Sequence, residues 1–341
     1  MRIKITESRW IGDESPVFII AEVGNNHQGR MDLALSAIDH AARAGADAVS
    51  FQYAPLHTYC TRDLYEHPNL AFLRECEFSI AQLSELAAKV HSCGMAFSIN
   101  VEDAETLDLA LDIGIDFIKL CSADLTNIPY IRHCAGKKRP IFFSTGAAFL
   151  GEIELAFHAM RDAGLSDYVI YHTNSAYPTP IDEANILQMD VLHEIFGGVK
   201  GYCDHTVEII PPIVAVARGA KVIEKHITTS RALRGDDWMV SLEPDEFKTM
   251  VAYIRQAEHS LGTREKAPMP SEQGTRLFKR KSIVSKKLIP KGTVLENDLF
   301  CFKLPGTGIS PVDLASLLGR RVRQDIPPDV VIERSMLEDP S

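Results

Sequence analysis

Two histidines, His205 and His226, are the residues of this sequence that point most clearly to chemistry. His205 follows Asp204 at the end of a short apolar run, and His226 comes just after Glu224 at the end of the next run. Between the runs lies an apolar segment that opens with two prolines and closes with Gly219, as a helix does. This order predicts strand, helix, strand, and the carboxyl ends of parallel strands lie side by side at one rim.

Two imidazoles at one rim suggest a divalent metal site. Neutral imidazole nitrogen is a ligand for many divalent transition metals, and the two histidines are separated by a single helix and strand. The alternative is a pair of hydrogen-bonded histidines beneath a loop, which the sequence leaves open. The acidic residue beside each histidine favours the metal site.

The elements that must position these histidines repeat along most of the chain. Eight short apolar runs alternate with helical segments, which predicts a (β/α)8 TIM barrel, with an open doubly wound sheet as the main rival. Barrel enzymes carry their chemistry at the carboxyl ends of the strands. The barrel is favoured because polar residues recur at or just after the ends of the runs: Glu22, Gln52, Ser98, Lys119, Ser144, His172, His205, Glu224 and His226.

The composition narrows the partners that the chain could bind. Of 341 residues, 45% are hydrophobic and 24% charged, which is ordinary for a globular protein. The net charge of −10 argues against nucleic acid or an anionic membrane as the main partner. The seven cysteines include no CxxC pair, so we expect neither a zinc knuckle nor a disulfide framework. Cysteines without this framework favour a cytoplasmic location. We also expect no signal peptide and no membrane span.

The pattern of alternating elements stops near residue 262. Residues 263–280 are polar, contain two prolines and are predicted to be a linker after a barrel domain of residues 1–262. Residues 281–341 carry short β runs separated by proline and glycine, which predicts a small second domain. About 60 residues make a thin core, so this domain is expected to pack on another surface.

Seven segments occur in the same order as in a known enzyme family. Together they closely resemble the sialic acid synthase family, of the bacterial N-acetylneuraminate synthase type. The match begins near residue 15 and reaches the carboxyl end. The segments are FIIAEVGNNHQG, DFIKLCSADLTNIP, FFSTG, SAYPTP, GYCDHT, VIEKH and PGTGISP.

The resemblance implies a fold, a reaction and an assembly. It implies a barrel followed by an antifreeze-protein-like (SAF, β-clip) domain, in a domain-swapped homodimer whose SAF domains cover the partner's barrel mouth. It also implies condensation of phosphoenolpyruvate with an N-acyl hexosamine or related sugar aldehyde. The products would be a nonulosonic (sialic-type) 2-keto acid and phosphate, and the cofactor a divalent metal such as Mn, Mg or Co.

The resemblance also implies roles for individual residues. His205 and His226 match metal ligands, and Glu22 matches the acid near the attacking water. Sugar-side positions are matched by Tyr177, Glu224 and Asp237, with Asp124 a conservative match. Contacts to phosphate and carboxylate are matched by Lys119, Ser122, Ser144 and Ser175.

The chemistry of the reaction agrees with these side-chain types. Phosphate and carboxylate need cationic and hydroxyl donors, and water that adds to an electron-poor carbon needs a nearby carboxylate. Gln52 and Ser98, at strand ends, are further candidates for substrate binding. Structural alternatives stay open: Lys119 as a buried ion-pair partner, Glu22 as a helix cap, and Ser144 and Ser175 as turn residues.

Five positions depart from the motifs of the family. Ser50 stands where a lysine helps to hold phosphoenolpyruvate, and Ile99 and Asn100 replace a threonine–proline pair. Trp238 replaces a histidine, and Leu304 replaces an arginine that approaches the N-acyl group of the sugar. The sequence therefore leaves two alternatives: a relative with a changed donor or acceptor in polysaccharide or secondary-metabolite biosynthesis, and a non-catalytic sugar-binding relative.

Overall fold

The computed structural model describes residues 2–338. The chain divides into two compact units, Met1–Gly262 and Thr263–Ser341. Among residues 2–338, none of the helices combines the length and the hydropathy that a membrane crossing requires.

The first unit is built around eight parallel strands that form a nearly closed barrel, which confirms the predicted (β/α)8 fold. Strands that follow one another in the chain are neighbours in the sheet, except that the third and fourth barrel strands stand at its two open edges, and the last strand pairs with the first, Val222 opposite Phe18. The hairpin β1 (Arg2–Lys4) and β2 (Trp10–Gly12), which was not predicted, precedes the barrel. The barrel strands are β3 (Phe18–Gly24), β4 (Ala48–Gln52), β5 (Ala96–Asn100), β6 (Ile118–Leu120), β7 (Ile141–Ser144), β8 (Tyr168–Thr173), β9 (Val199–Asp204) and β10 (Val222–His226).

Helices fill the connections, and their ends follow local signals. Ser79 caps α4, because its hydroxyl accepts a hydrogen bond from the Gln82 amide at 3.3 Å. Gly45 ends α1 with a φ of +86°, a left-handed conformation that favours glycine. The helices are α1 (Met31–Ala44), α2 (Leu56–Tyr59), α3 (Pro68–Cys76), α4 (Ile80–Ser92), α5 (Ala104–Ile113), α6 (Ile128–Gly136), α7 (Leu150–Asp162), α8 (Gln188–Phe196), α9 (Ile210–Ala217) and α10 (Pro244–Leu261).

The barrel interior changes from apolar to polar along its axis. Near the amino ends of the strands it is closed by Phe18, Phe117 and Phe142, and the last two rings stack with centroids 4.2 Å apart. Further along the strands the same face carries polar side chains, such as Glu22 four residues after Phe18 and Lys119 two residues after Phe117, because alternate residues of a strand share a face. The apolar floor therefore supports a polar rim at the carboxyl ends.

The second unit has a small core of its own, which includes Ile283, Leu295 and Ile332. It contains the antiparallel pair β11 (Ser282–Ser285) and β12 (Phe300–Lys303). The segment expected to be a plain linker also carries a short helix, α11 (Gln273–Lys279). Residues 339–341 of the predicted domain lie outside the described residues.

Candidate active site

The carboxyl ends of the barrel strands surround a cavity of about 630 Å³. Most of the residues selected from the sequence meet there, although they come from seven different strands or the loops that follow them. The selected residues that line the cavity are Glu22, Gln52, Lys119, Ser122, Ser144, Ser175, Tyr177, His205, Glu224, His226 and Asp237.

The structure does not bring Ser98 and Asp124 into the lining of this cavity. Ser98 lies one layer deeper in the barrel than Asn100, and its hydroxyl donates to the Phe117 carbonyl at 3.0 Å. Asp124 is buried, and its carboxylate accepts a hydrogen bond from the Asn127 amide at 3.0 Å. Both side chains therefore make local hydrogen bonds, although the second carboxylate oxygen of Asp124 has none, and the substrate roles expected for these two residues stay predictions.

The centre of the cavity holds an ion pair between Lys119 on β6 and Glu224 on β10. The thiol of Cys203 donates to Glu224 at 3.2 Å, and the Tyr171 ring lies 4.7 Å from the ammonium. Burial disfavours the charged form of Lys119, but the adjacent Cys203 and Glu224 outweigh it and raise the pKa of the lysine. Lys119 therefore stays cationic at the cavity wall.

Glu22 presents a fixed carboxylate beside this pair. Its Oε1 accepts from the Gly24 amide at 2.7 Å, and its Oε2 accepts from the Asn100 side chain at 2.9 Å. Burial and the charge of Glu224 raise the pKa of Glu22 to about 7, against the opposing effect of Lys119. A carboxylate with that pKa can accept a proton from water near neutral pH.

His205 and His226 lie next to each other, with ring centroids 5.3 Å apart. Nδ1 of His205 lies 2.6 Å from the carbonyl of Asn174 and donates to it, so Nε2 keeps its lone pair. Tyr177 contacts that Nε2 at 2.8 Å. The structure thus orients the lone pair of His205 toward the cavity lining.

The second histidine has a buried nitrogen that lacks a hydrogen bond. Nδ1 of His226 makes none, and lies 3.4 Å from a carboxylate oxygen of Asp237. Burial lowers the pKa of His205 to about 4, and burial with the neighbouring His205 lowers that of His226 well below its usual range. Both rings are therefore neutral near pH 7, the form that binds metal.

These features fit a divalent cation, which would satisfy the orphaned nitrogen of His226. Burial and the charge of Asp236 raise the pKa of Asp237 to about 8, and a bound cation would favour its ionised form. Within residues 2–338, however, no three His, Cys, Asp or Glu side chains form a ready-made metal centre. Two histidines would therefore need help from water or substrate.

Hydroxyl groups line the opposite part of the cavity. The Ser122 hydroxyl accepts a hydrogen bond from the Gly146 amide at 3.0 Å. A Cβ at Gly146 would lie only 2.1 Å from the Ser175 hydroxyl and 2.8 Å from that of Ser122, so any other residue there would displace these hydroxyls. With Ser144, this hydroxyl surface suits the oxygens of a phosphate or carboxylate.

Several residues of the lining have no functional assignment from the sequence analysis. Glu102 is one, and burial together with the charges of Asp124 and Asp103 raises its pKa to about 7. Asn100 is another, since it was noted only as a departure from the family. Its position two residues after Ser98 was a usable signal, because alternate residues of a strand face the same side. The other unassigned residues include Tyr59, Cys121, Cys203 and Asp236.

Comparisons with known proteins agree with this geometry. The NeuB family profile matches residues 37–266, and the SAF domain profile matches residues 280–338. The chain is 34% identical to the N,N'-diacetyllegionaminic acid synthase of Legionella pneumophila over 92% of this chain and 93% of that protein. It is 30% identical to human N-acetylneuraminate-9-phosphate synthase, over 99% of this chain and 98% of that protein.

A solved structure extends the similarity to three dimensions. It is the N-acetylneuraminic acid synthetase of Leptospira borgpetersenii in complex with citrate, which is 31% identical. The match has a TM-score of 0.74 and covers 81% of this chain and 95% of that chain. These relatives are named as synthases, which does not support the non-catalytic alternative, and the resemblance seen in the motifs is confirmed. The chain belongs to the NeuB family, carries a SAF domain at residues 280–338, and is an enzyme of the sialic acid synthase type.

Proposed function

We propose that this chain is a cytoplasmic, metal-dependent synthase that joins phosphoenolpyruvate to an N-acyl hexosamine or related sugar aldehyde. The products are a nonulosonic 2-keto acid and phosphate. The observation that carries the proposal is the convergence of three groups in one cavity: the hydroxyl surface, the Lys119–Glu224 pair beside Glu22, and the two neutral histidines. Each group suits one part of the reaction.

The residues divide the reaction between them. The hydroxyl surface and Lys119 hold the phosphate and carboxylate of the donor, because these anions need cationic and hydroxyl donors. Glu22 takes a proton from the water that adds to the electron-poor carbon of the condensed substrate. A divalent metal on His205 and His226, when bound, supplies a Lewis acid for the aldehyde oxygen as negative charge develops on it.

A changed donor or acceptor is the second candidate, and the charges of the cavity favour it. Within the described residues, Lys119 is the one cation in the lining, and Glu224 already neutralises it. The family motif has a second lysine at position 50, where this chain has the neutral, buried Ser50. A donor with fewer negative charges than phosphoenolpyruvate would meet less repulsion from the carboxylates of the lining.

Release of phosphate from phosphoenolpyruvate decides between these candidates. The full chain is incubated with Mn²⁺, phosphoenolpyruvate and a panel of hexoses and N-acyl hexosamines, and the products are identified by mass spectrometry. The proposal expects phosphate release that depends on the acceptor, with a product that retains the three donor carbons. Product formation with a different three-carbon donor, and none with phosphoenolpyruvate, would establish the second candidate instead.

The metal is tested separately, by calorimetric titration of the metal-free protein with Mn²⁺. We expect one equivalent to bind, and the double variant His205→Ala, His226→Ala to lose it. His91→Ala is a matched control, because His91 also contacts a carboxylate, that of Asp116, outside the cavity. Unchanged affinity in the double variant would remove the two histidines from the metal site.

We further propose that the barrel of residues 1–262 acts in a domain-swapped homodimer, with residues 281–341 covering the partner's cavity. Support comes from the family resemblance and from the small core of the second unit. Sedimentation of the full chain should then give the mass of a dimer. A chain without residues 281–341 should keep a folded barrel and lose acceptor selectivity, whereas unchanged kinetics would refute the covering role.

A further inference from the structure

The side-chain amide of Asn100 lies between two other buried polar groups at the cavity wall. Its Nδ2 donates to Oε2 of Glu22 at 2.9 Å, and its Oδ1 accepts from the Ser50 hydroxyl at 3.3 Å. Asn100 is 9% exposed, Glu22 2% and Ser50 1%, so water has little access to compete. The three residues come from adjacent strands, and Ser50 is in register with Glu22.

The hydroxyl of Ser50 fixes which end of the amide faces Glu22. An asparagine amide has a donor end and an acceptor end of nearly the same shape. Because Ser50 donates to Oδ1, the amino group is turned toward the carboxylate. A flipped amide would place its carbonyl oxygen against the oxygens of Glu22, which is repulsive.

The hydrogen bond from Asn100 completes the support of Glu22. The Gly24 amide holds one carboxylate oxygen and Asn100 holds the other, and the Ser50 hydroxyl also acts on Glu22 as a hydrogen-bond donor, which lowers the pKa of the carboxyl group. None of these donors carries a full charge. The carboxylate is therefore oriented without a permanent counter-ion from β4 or β5, and it remains free to accept a proton.

We propose that Asn100 is a positioning residue that orients Glu22 for reaction with water, and that Ser50 orients Asn100. This inference rests on the function proposed above, in which Glu22 takes the proton of the attacking water. Both positions depart from the family motifs, where a lysine and a proline stand. The two departures form one hydrogen-bonded unit, in which neutral groups do the orienting.

Steady-state kinetics test the unit, with phosphoenolpyruvate, Mn²⁺ and the best acceptor of the panel. Asn100→Leu keeps the size of the side chain and removes the donor to Glu22. A misplaced carboxylate lowers kcat by about a hundredfold, whereas both KM values stay within about twofold because Asn100 acts on the reacting step. Ser50→Ala removes the hydroxyl that orients the amide and that also acts on Glu22, and leaves the donor of Asn100 in place, so kcat falls by about two- to tenfold.

A matched control separates positioning from general damage to this wall of the barrel. Tyr130 donates to the carbonyl of Val101, the next residue after Asn100, at 2.7 Å, and it does not line the cavity. Tyr130→Phe should lower the melting temperature and leave kcat and KM unchanged. If Asn100→Leu raises KM while kcat is intact, or if Tyr130→Phe reproduces the loss of kcat, the positioning role is overturned.

A measurement without substrate tests the contact itself. The side-chain amide signal of Asn100 in an NMR spectrum of ¹⁵N-labelled protein should shift in Glu22→Gln, which weakens the acceptor, and not in Tyr130→Phe. An unchanged signal in Glu22→Gln would refute the contact. If the parent protein shows no turnover with phosphoenolpyruvate, the proposed function and the positioning role both fail, whereas turnover that survives Asn100→Leu rejects the inference alone.

Discussion

Two buried lysine–carboxylate pairs lie on opposite sides of the same barrel wall. Glu224 and Lys225 are neighbours in β10, so their side chains point to opposite faces of the strand. Glu224 faces the cavity and pairs with Lys119, whereas Lys225 faces away and pairs with Asp204 at 2.6 Å. The two pairs contain the same chemical groups, but one opens onto a cavity and the other is closed.

Both charged groups of the closed pair are hydrogen-bonded to other groups of the protein. Asp204 also accepts from the Tyr202 hydroxyl at 2.9 Å and from the Thr206 hydroxyl at 3.0 Å, and Lys225 donates to the Thr206 carbonyl. Both charged side chains are fully buried. Such a closed network stabilises one arrangement of the fold and has no group left for a ligand.

The open pair lies among carboxyl groups that outnumber the cations available to neutralise them. Glu22, Glu224, Asp237 and Glu102 all line the same cavity, and Lys119 is the one cation there among the described residues. Burial, and then repulsion from neighbouring carboxylates inside or outside the lining, raises the pKa values of Glu22, Glu102 and Asp237 to between about 7 and about 8. The comparison indicates that satisfied charges maintain this fold, whereas underpaired charges mark the place where a ligand binds.

The largest expected effect comes from breaking the closed pair. Lys225→Met leaves the Asp204 carboxylate buried without a counter-ion, which costs about 3–5 kcal/mol of unfolding free energy. Urea denaturation measures this loss. The double variant Lys225→Met, Asp204→Asn should recover part of it, because no isolated charge remains.

The matched change in the open pair should reduce activity more than stability. Lys119→Met removes a contact to the substrate anion, and kcat/KM falls by about a hundred- to thousandfold. Its stability should fall by less than that of Lys225→Met, since water in the cavity can solvate Glu224. Equal losses of stability in the two single variants would show that the cavity does not relieve the open pair.

The sequence analysis selected the two residues of the open pair, without pairing them, and did not assign a role to Lys225 of the closed pair. Polar residues at strand ends identified Lys119 and Glu224, because an apolar run followed by a polar residue is visible in one dimension. Asp204 was interpreted as the acid that accompanies His205. In the structure, Asp204 points to the other side of the barrel wall. It directly precedes His205, and the side chains of successive strand residues point to opposite faces.

The sequence also could not predict how deep a residue lies in the barrel or which side chains contact each other between strands. Ser98 was expected to bind substrate, yet it lies one layer below the cavity lining, and the depth of a residue depends on how the strands are staggered. The hydrogen bonds from Ser50 to Asn100 and from Asn100 to Glu22 join three strands. No local pattern predicts such contacts, whereas helix ends such as Ser79 follow rules that operate within a few residues.

A smaller effect is expected when a second cation is added to the open pair's cavity. Ser50→Lys restores the family residue opposite Glu22 and adds a positive charge for the donor. A charge-assisted contact of about 1.5–3 kcal/mol should tighten phosphoenolpyruvate binding by roughly ten- to a hundredfold. Because the same change removes the hydroxyl that orients Asn100, kcat should fall as binding improves.

Calorimetry with Mn²⁺ present compares the parent with Ser50→Lys, and Ser50→Met controls for the length of the new side chain. Weak phosphoenolpyruvate binding in the parent that improves only with lysine would show that the cavity lacks a cation. Tight binding by the parent would contradict that conclusion. An inserted lysine that does not help would indicate a cavity adapted to a different donor.

The smallest expected effect is the loss of unfolding free energy caused by one buried carboxylate, that of Glu102. The pKa of Glu102 is raised to about 7 in the folded protein, chiefly by burial, from 4.5 when unperturbed. Below about pH 4.5 the group is neutral in both states and costs nothing. Between 4.5 and 7 the unfolded chain loses its proton first, so stability falls as the pH rises, and above 7 the full cost is present.

Glu102→Gln carries no charge at any pH and therefore escapes this cost. After a discount for partial exposure, the variant should be more stable than the parent by about 1 kcal/mol at pH 8, or about 2–4 °C in melting temperature. The difference should vanish near pH 4.5. Thermal melts in the presence of a chelator measure it, with the exposed Glu105→Gln of α5 as the control. A difference that stays constant from pH 4.5 to 8 would mean that Glu102 is not strained by burial, and that the cavity already satisfies its carboxylates as well as the closed pair does.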